Sequence, residues 1–192
     1  MKIILFDFDG TLTKRDTLRP VAIHFAREYH KSMGLVFLYF LLVLGRFRMI
    51  SDKKMKEDFL NIFLKGKDAA SVGAVVRNFF EANLESLLNP CVLEALQRHR
   101  KNGDKIFIVS ANFDFLLEPL VQFWRINGVI CTETEKTGGV FTGKIVGDTC
   151  KGKAKVEKIR AMFSPQEIAN MTAFGDRDDK EMLGMVNESI LV

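Results

Sequence analysis

Cysteine is scarce in this chain. The three at 91, 131 and 150 are far apart, and no Cys-x-x-Cys pair occurs. That spacing supports neither a zinc site nor a disulfide framework, and it makes a reducing cytoplasm the expected setting. Proline is also sparse, at 4 residues, and no low-complexity stretch breaks the sequence, which excludes a largely disordered chain. Charge of one sign does not dominate: 28 Lys and Arg against 24 Asp and Glu leave +4. That mild excess suits an anionic small molecule or a membrane surface and does not point to nucleic acid. The opening MKIILFDFDG lacks the unbroken apolar stretch of a secretory leader, because acids interrupt it at once.

No apolar run reaches the ~20 residues of a membrane-spanning helix. Met33–Leu44 (MGLVFLYFLLVL) is the most apolar stretch, and its 12 residues would extend only ~18 Å as a helix. It reads as a buried or partner-covered helix. A peripheral membrane contact through residues 33–48, where Arg46 and Arg48 follow, is the second reading.

What the chain does contain is a change of pattern. Residues 2–8 (KIILFDF) read as a short buried strand left through Gly10. From Asp16 to about Leu88 apolar residues recur at three- and four-residue spacing, the pattern of helices. Asn89-Pro90 breaks this block, and strands then alternate with helices. KIFIVSA, GVICTE, MTAFGD and SILV read as strands, GGVFTGKIVG as a hairpin, and VLEALQRHRKNG, FDFLLEPLVQFW and KAKVEKIRAMF as helices. Such alternation indicates an α/β chain with a parallel sheet covered on both faces. The helical block reads as an insertion after the first strand.

Four segments fall at expected strand ends, where ligands bind in open parallel sheets. In Asp7-Phe8-Asp9-Gly10-Thr11 the two carboxylates share one side of an extended strand. They repel unless a cation or a proton relieves them, and Mg²⁺ suits an oxygen-only site. Ile108-Val109-Ser110-Ala111-Asn112 offers a hydroxyl and backbone amides to an anion. In CKGKAKV, Lys153 and Lys155 lie two apart on a helix, about 200° around its axis, so only one can face a site. Phe174-Gly175-Asp176-Arg177-Asp178-Asp179 supplies further acids. Taken singly they read as an acidic turn, a helix N-cap, a solvated lysine face and a capped helix start; four together point to one site.

These segments resemble the motifs of the haloacid dehalogenase superfamily, specifically its phosphoserine-phosphatase-like branch, subfamily IB. DFDGT resembles the nucleophile motif, Ser110 the second motif, the lysine of CKGKAKV the third and GDRDD the fourth. The resemblance implies a three-layer Rossmann-like core (1–15 and 89–192) carrying an inserted helical cap (16–88). It implies a Mg²⁺-dependent phosphomonoester hydrolase in which Asp7 is the nucleophile and Asp9 the acid and base. Thr11, Ser110, Ala111 and Lys153 or Lys155 would hold the phosphoryl group. Asp7, Asp9 (through its carbonyl), Asp176 and Asp179 would hold the metal. Register with phosphoserine phosphatases favours Lys153, whereas the C-x-G-x-x-K pattern favours Lys155. Many relatives place the last acid four residues after the first, where this chain has Lys180; the following Met182-Leu183 favours Asp179.

The resemblance weakens in the helical block. Phosphoserine phosphatases typically carry serine where Gly10 stands and an arginine in the cap, and Met55–Phe63 contains no arginine. The expected substrate is therefore a small phosphometabolite other than phosphoserine. A lipid phosphate such as phosphatidylglycerophosphate is the alternative suggested by the apolar stretch and the Arg46-Phe47-Arg48 that follows. A non-catalytic binding protein on the same fold, or phosphoryl transfer to an acceptor other than water, is a further alternative.

Overall fold

The computed structural model describes residues 1–46 and 50–192, without the side chains of 40–42 and 44–46. Phe47 and Arg48, part of the basic stretch that follows the apolar run, lie outside the described residues, as does the side chain of Arg46. Among the described residues the chain divides into two compact units. One comprises Met1–Thr17, Leu84–Thr132 and Cys150–Val192; the other comprises Leu18–Asn83 and Glu133–Thr149.

In the first unit, β1 (Ile3–Phe6), β2 (Lys105–Phe113), β3 (Gly128–Thr132), β6 (Thr172–Gly175) and β7 (Glu188–Leu191) pair in parallel in the order β3-β2-β1-β6-β7. The expected α/β class with a helix-covered parallel sheet is what forms. Period-two alternation divides the central strand between the two faces. Leu5 joins Val109, Ile130 and Ala173 against Ile159 of α7 (Lys153–Met162), Ile168 of α8 (Pro165–Ala169) and Met182 of α9 (Lys180–Leu183). Phe6 turns to the opposite face and stacks on Phe174 with ring centroids 4.5 Å apart. His99 of α5 (Pro90–Lys101) meets both rings edge-on. Helix α6 (Asp114–Trp124) follows β2 directly and buries Leu116, Leu117 and Leu120. Helix α8 is too short to show in the apolar periodicity; a Ser164–Glu167 capping box starts it after Phe163.

The inserted block leaves and re-enters this unit through adjacent segments. Thr13 bridges Leu88, the Lys14 amide donates to the Leu87 carbonyl and the Asn89 amide to that of Leu12. The intervening helices are α1 (Leu18–Glu28), α2 (Ser32–Arg46), α3 (Asp52–Phe63) and α4 (Ala69–Leu87). Phe25, Phe59 and Phe63 form a buried aromatic cluster in the helical unit, and Phe79 of α4 is buried there against His24. Its hairpin, β4 (Thr134–Thr137) and β5 (Val140–Ile145), is bound to the helices by polar contacts. Asn61 donates to the Gly143 carbonyl at 3.2 Å, Lys53 donates to that of Gly147, and the Gly66 and Phe141 amides bond across to Phe141 and Lys67. A segment distant in sequence thus completes the helical unit.

Leu5 has no exposed surface. Leu5→Ala is expected to cost about 2–5 kcal/mol in urea unfolding, whereas Phe123→Ala, at a 67% exposed position, should stay within ~0.5 kcal/mol. Equal effects would contradict this layer assignment.

Candidate active site

The parallel register carries the three central strands to one edge. Phe6 lies level with Ile108 on β2 and with Phe174 on β6. Asp7 therefore follows β1, Ser110 lies near the end of β2, and Asp176 follows β6. Strands β2 and β6 flank β1 on opposite sides, which makes this edge the point where chain direction switches and α/β sheets bind ligands.

Strand β1 ends at Phe6, shorter than the 2–8 span expected from its apolar run. The Asp7 amide still donates to the Phe174 carbonyl at 2.9 Å, but beyond it the chain turns tightly. The Thr11 and Thr13 amides donate to the Phe8 carbonyl, and that of Leu12 to Asp7. Strand periodicity therefore does not set Asp9, as the sequence suggested; the turn does. Gly10 permits the turn with φ +83°, and a Cβ there would lie 2.7 Å from Asp176 Oδ2. The bare backbone at Gly10 lets that carboxylate approach.

Asp7 is 5% exposed and Lys155 4%. Lys155 Nζ donates to Asp7 Oδ1 at 2.9 Å and to Asp179 Oδ1 at 2.5 Å. Burial pushes the Asp7 carboxyl up to about 7; Lys155 opposes this, while Asp179 and Asp9 add to it. Burial works against the Lys155 charge, but the two carboxylates hold its pKa above the usual lysine range. Lys153, the first residue of α7, is exposed. Of the two lysines it is Lys155 that reaches the acids. Gly152, at φ 53°, turns the chain into this helix.

The last acid is also distinguished by placement: Asp179 is buried, whereas Asp178 and Lys180 are exposed. Both Asp179 oxygens carry hydrogen bonds, one from Lys155 and one from the Asp176 amide at 3.4 Å. Asp176 Oδ1 accepts the Asp178 amide at 2.7 Å.

Asp9 occupies a separate polar cluster. Its Oδ1 accepts the Thr17 amide at 2.9 Å and hydroxyl at 2.8 Å; its Oδ2 accepts Asn112 Nδ2 at 3.1 Å. Asn112 Nδ2 also donates to Thr17 Oγ1 at 2.8 Å, and the Asn112 amide donates to Ser110 Oγ at 3.1 Å. Sequence reasoning assigned no role to Thr17 or Asn112. Threonine before a helix reads as a cap, and no sequence pattern relates residues so far apart. Ser110 is buried, and Thr11 Oγ1 is buried without a hydrogen-bond partner among the described residues. The Ala111 carbonyl accepts Thr132 Oγ1 at 2.7 Å, and that oxygen accepts the Cys150 amide at 3.0 Å. One buried threonine thereby joins the end of β2 to the segment leading to Lys155.

The donor set fits a hard cation. Asp176 Oδ2 and the Asp7 oxygen not taken by Lys155 belong to adjacent strand ends. No three acidic, histidine or cysteine side chains form a closed cage among the described residues. Mg²⁺ uses one or two carboxylates and fills its remaining positions with water and substrate oxygens.

Residues 4–183 match the haloacid dehalogenase-like hydrolase family, and the chain belongs to that family. It is a phosphatase of the phosphoserine-phosphatase-like branch. Protein CicA of Caulobacter vibrioides is 30% identical over 188 residues, 97% of this chain and 83% of that protein. Phosphoserine phosphatase SerB1 of Mycobacterium tuberculosis is 22% identical over 97% of this chain and 63% of its own length. Among solved structures, a protein of unknown function from Bordetella pertussis Tohama I superposes with a TM-score of 0.86 at 18% identity, covering 99% and 89% of the two chains. A substrate-bound phosphoserine phosphatase superposes at 0.66 and 17% identity, covering 99% and 85%.

The raised Asp7 pKa has a signed consequence for the metal-free protein. Between its ordinary value of 3.8 and about 7, the folded state holds a proton that the unfolded chain has released. This contribution to stability is present at low pH and is lost as pH rises. Asp7→Asn removes it, so the variant should gain stability relative to wild type as pH increases from 5 to 8. Thermal unfolding in EDTA at the two pH values checks this; a pH-independent difference would contradict it.

Proposed function

We propose that this protein is a Mg²⁺-dependent phosphomonoesterase that acts through an aspartyl-phosphate on Asp7. The observation that carries the reading is the buried Lys155 bridging Asp7 and Asp179 beside Asp176. An Asp7 oxygen attacks phosphorus as the bond from phosphorus to the leaving oxygen breaks, and Asp9 gives that oxygen its proton. A water then surrenders a proton to Asp9 while its oxygen attacks phosphorus, and the Asp7 carboxylate departs from inorganic phosphate. Asp7, Asp176 and the Asp9 carbonyl would hold Mg²⁺, which would supply positive charge against the phosphoryl oxygens.

Lys155, Ser110, the unpartnered Thr11 hydroxyl and the Ala111 backbone hold the transferring group. Asp179, with both oxygens engaged, acts by fixing Lys155 and the Asp176 amide rather than as a direct metal ligand. Thr17 and Asn112 aim the Asp9 carboxylate. The substrate is a small phosphometabolite. Phosphoserine, the substrate named for several relatives, is disfavoured by the lack of arginine at Met55–Phe63.

A screen of phosphomonoesters with Mg²⁺ tests the reading. Wild type should release phosphate, EDTA should abolish release and added Mg²⁺ should restore it. Asp7→Asn should retain less than about a thousandth of the activity, with no phosphoenzyme formed. Lys155→Met should lose roughly 10²–10³ in kcat/KM. Lys153→Ala should change kcat/KM less than about twofold and stability less than ~0.5 kcal/mol. Absence of phosphate release from every ester, or an active Asp7→Asn, would sink the proposal.

Asn112 gives a separate check. Asn112→Leu should lower kcat about ten- to a hundredfold with little change in KM, because it unfixes the proton-transfer group. Asn112→Asp would place a like charge beside Asp9 and should not rescue the loss. A KM effect alone would assign Asn112 to substrate binding.

A further inference from the structure

Helix α2 is apolar on both sides, and among the described residues one side is buried and the other largely exposed. Leu38 is 3% exposed, and Gly34 and Leu35 are half-buried. Met33, Val36, Phe37, Tyr39 and Val43 are exposed at 79, 63, 48, 72 and 37%. At 100° per residue these five fall within an arc of about 160°, centred opposite Leu38. Single exposed apolar residues need no explanation, but five on one helix face form a patch of the kind that marks an interaction surface.

We propose that this face of α2 docks on an anionic lipid surface, with the helix axis in the plane of the membrane. Charge in the surrounding sequence favours that occupant. Residues 29–51 contain no Asp or Glu, and Lys31 precedes the helix, Arg46 ends it and Arg48 follows. Lys31 Nζ holds the Ile62 carbonyl, which ties this cation to the helical unit. Tyr39 combines an apolar ring with a hydroxyl suited to the headgroup level. Length excludes a transmembrane role for the helix: its 15 residues extend about 22 Å against the ~30 Å hydrocarbon core. None of the described helices is long and apolar enough to cross a membrane. A second copy of the chain fits this face less well. The charges of this segment are all positive, so symmetric pairing of two copies would set like charge against like. An interfacial helix with its apolar face in the acyl boundary and cations at the headgroups meets both requirements.

Sedimentation of the full chain with vesicles tests the inference independently of catalysis. Vesicles of phosphatidylcholine with about a third phosphatidylglycerol should bind the protein, pure phosphatidylcholine should bind it at least tenfold less, and salt should weaken binding. The double variant Phe37→Glu/Tyr39→Glu, at exposed positions, should unfold at the wild-type temperature and lose binding more than tenfold. Arg46→Ala/Arg48→Ala should lose about fivefold for each charge removed. Failure to bind anionic vesicles, equal binding to neutral ones, or undiminished binding by a folded Phe37→Glu/Tyr39→Glu protein would overturn the proposal. So would a concentration-dependent dimer that this variant abolishes, in the absence of vesicle binding; it would assign the face to a second copy. Because no substrate is present, failure of the phosphatase reading leaves these outcomes unchanged.

Discussion

A lysine ammonium buried between two carboxylates organises the candidate site. Removing Lys155, Asp7 and Asp179 from water is costly, and the cost is offset only while all three keep their geometry. Three elements must agree for that to happen. β1 delivers Asp7, α7 delivers Lys155, and the 3₁₀ turn Arg177–Asp179 after β6 delivers Asp179. A buried pair left incomplete would be penalised by several kcal/mol, so the arrangement ties the site to correct assembly of the sheet edge. It also leaves one Asp7 oxygen without a hydrogen bond from the lysine, which is what an attacking or metal-bound carboxylate needs.

Two kinds of control meet at this edge. The acids nearest the lysine are paired with its charge, whereas Asp9 accepts hydrogen bonds from the amide and hydroxyl of Thr17 and from the amide nitrogen of Asn112. Separate environments for two neighbouring carboxylates allow one to attack while the other manages protons, a division that adjacent acids in identical surroundings would not support. The turn after Phe6 creates the separation, and the missing side chain of Gly10 leaves room for Asp176 to approach.

Much of this architecture is legible in the sequence. Apolar alternation locates the strands, and three polar segments at strand ends together with a lysine segment at a helix start mark a candidate site. The less legible parts depend on contacts distant in sequence. Lys153 and Lys155 both suit a helix start, and only the packing of Ile159 of the same helix against the sheet determines which lysine points inward. The choice among Asp178, Asp179 and Lys180 is likewise a matter of which residue the turn after β6 buries. Thr17 and Asn112 carry no signal, since their partnership joins residues 95 positions apart. Hairpin β4–β5 looks like part of the alternating α/β pattern, yet its hydrogen bonds run to α3 and the α3–α4 connection.

By itself the sequence determined the class of fold, the family and the carboxylate proposed to attack, because periodicity and motif residues are local properties. Tertiary structure decided which lysine and which last acid join that carboxylate, what holds Asp9, and which side of the apolar helix remains exposed. Each of those depends on burial, and burial is settled by the neighbours that packing brings together from distant parts of the chain.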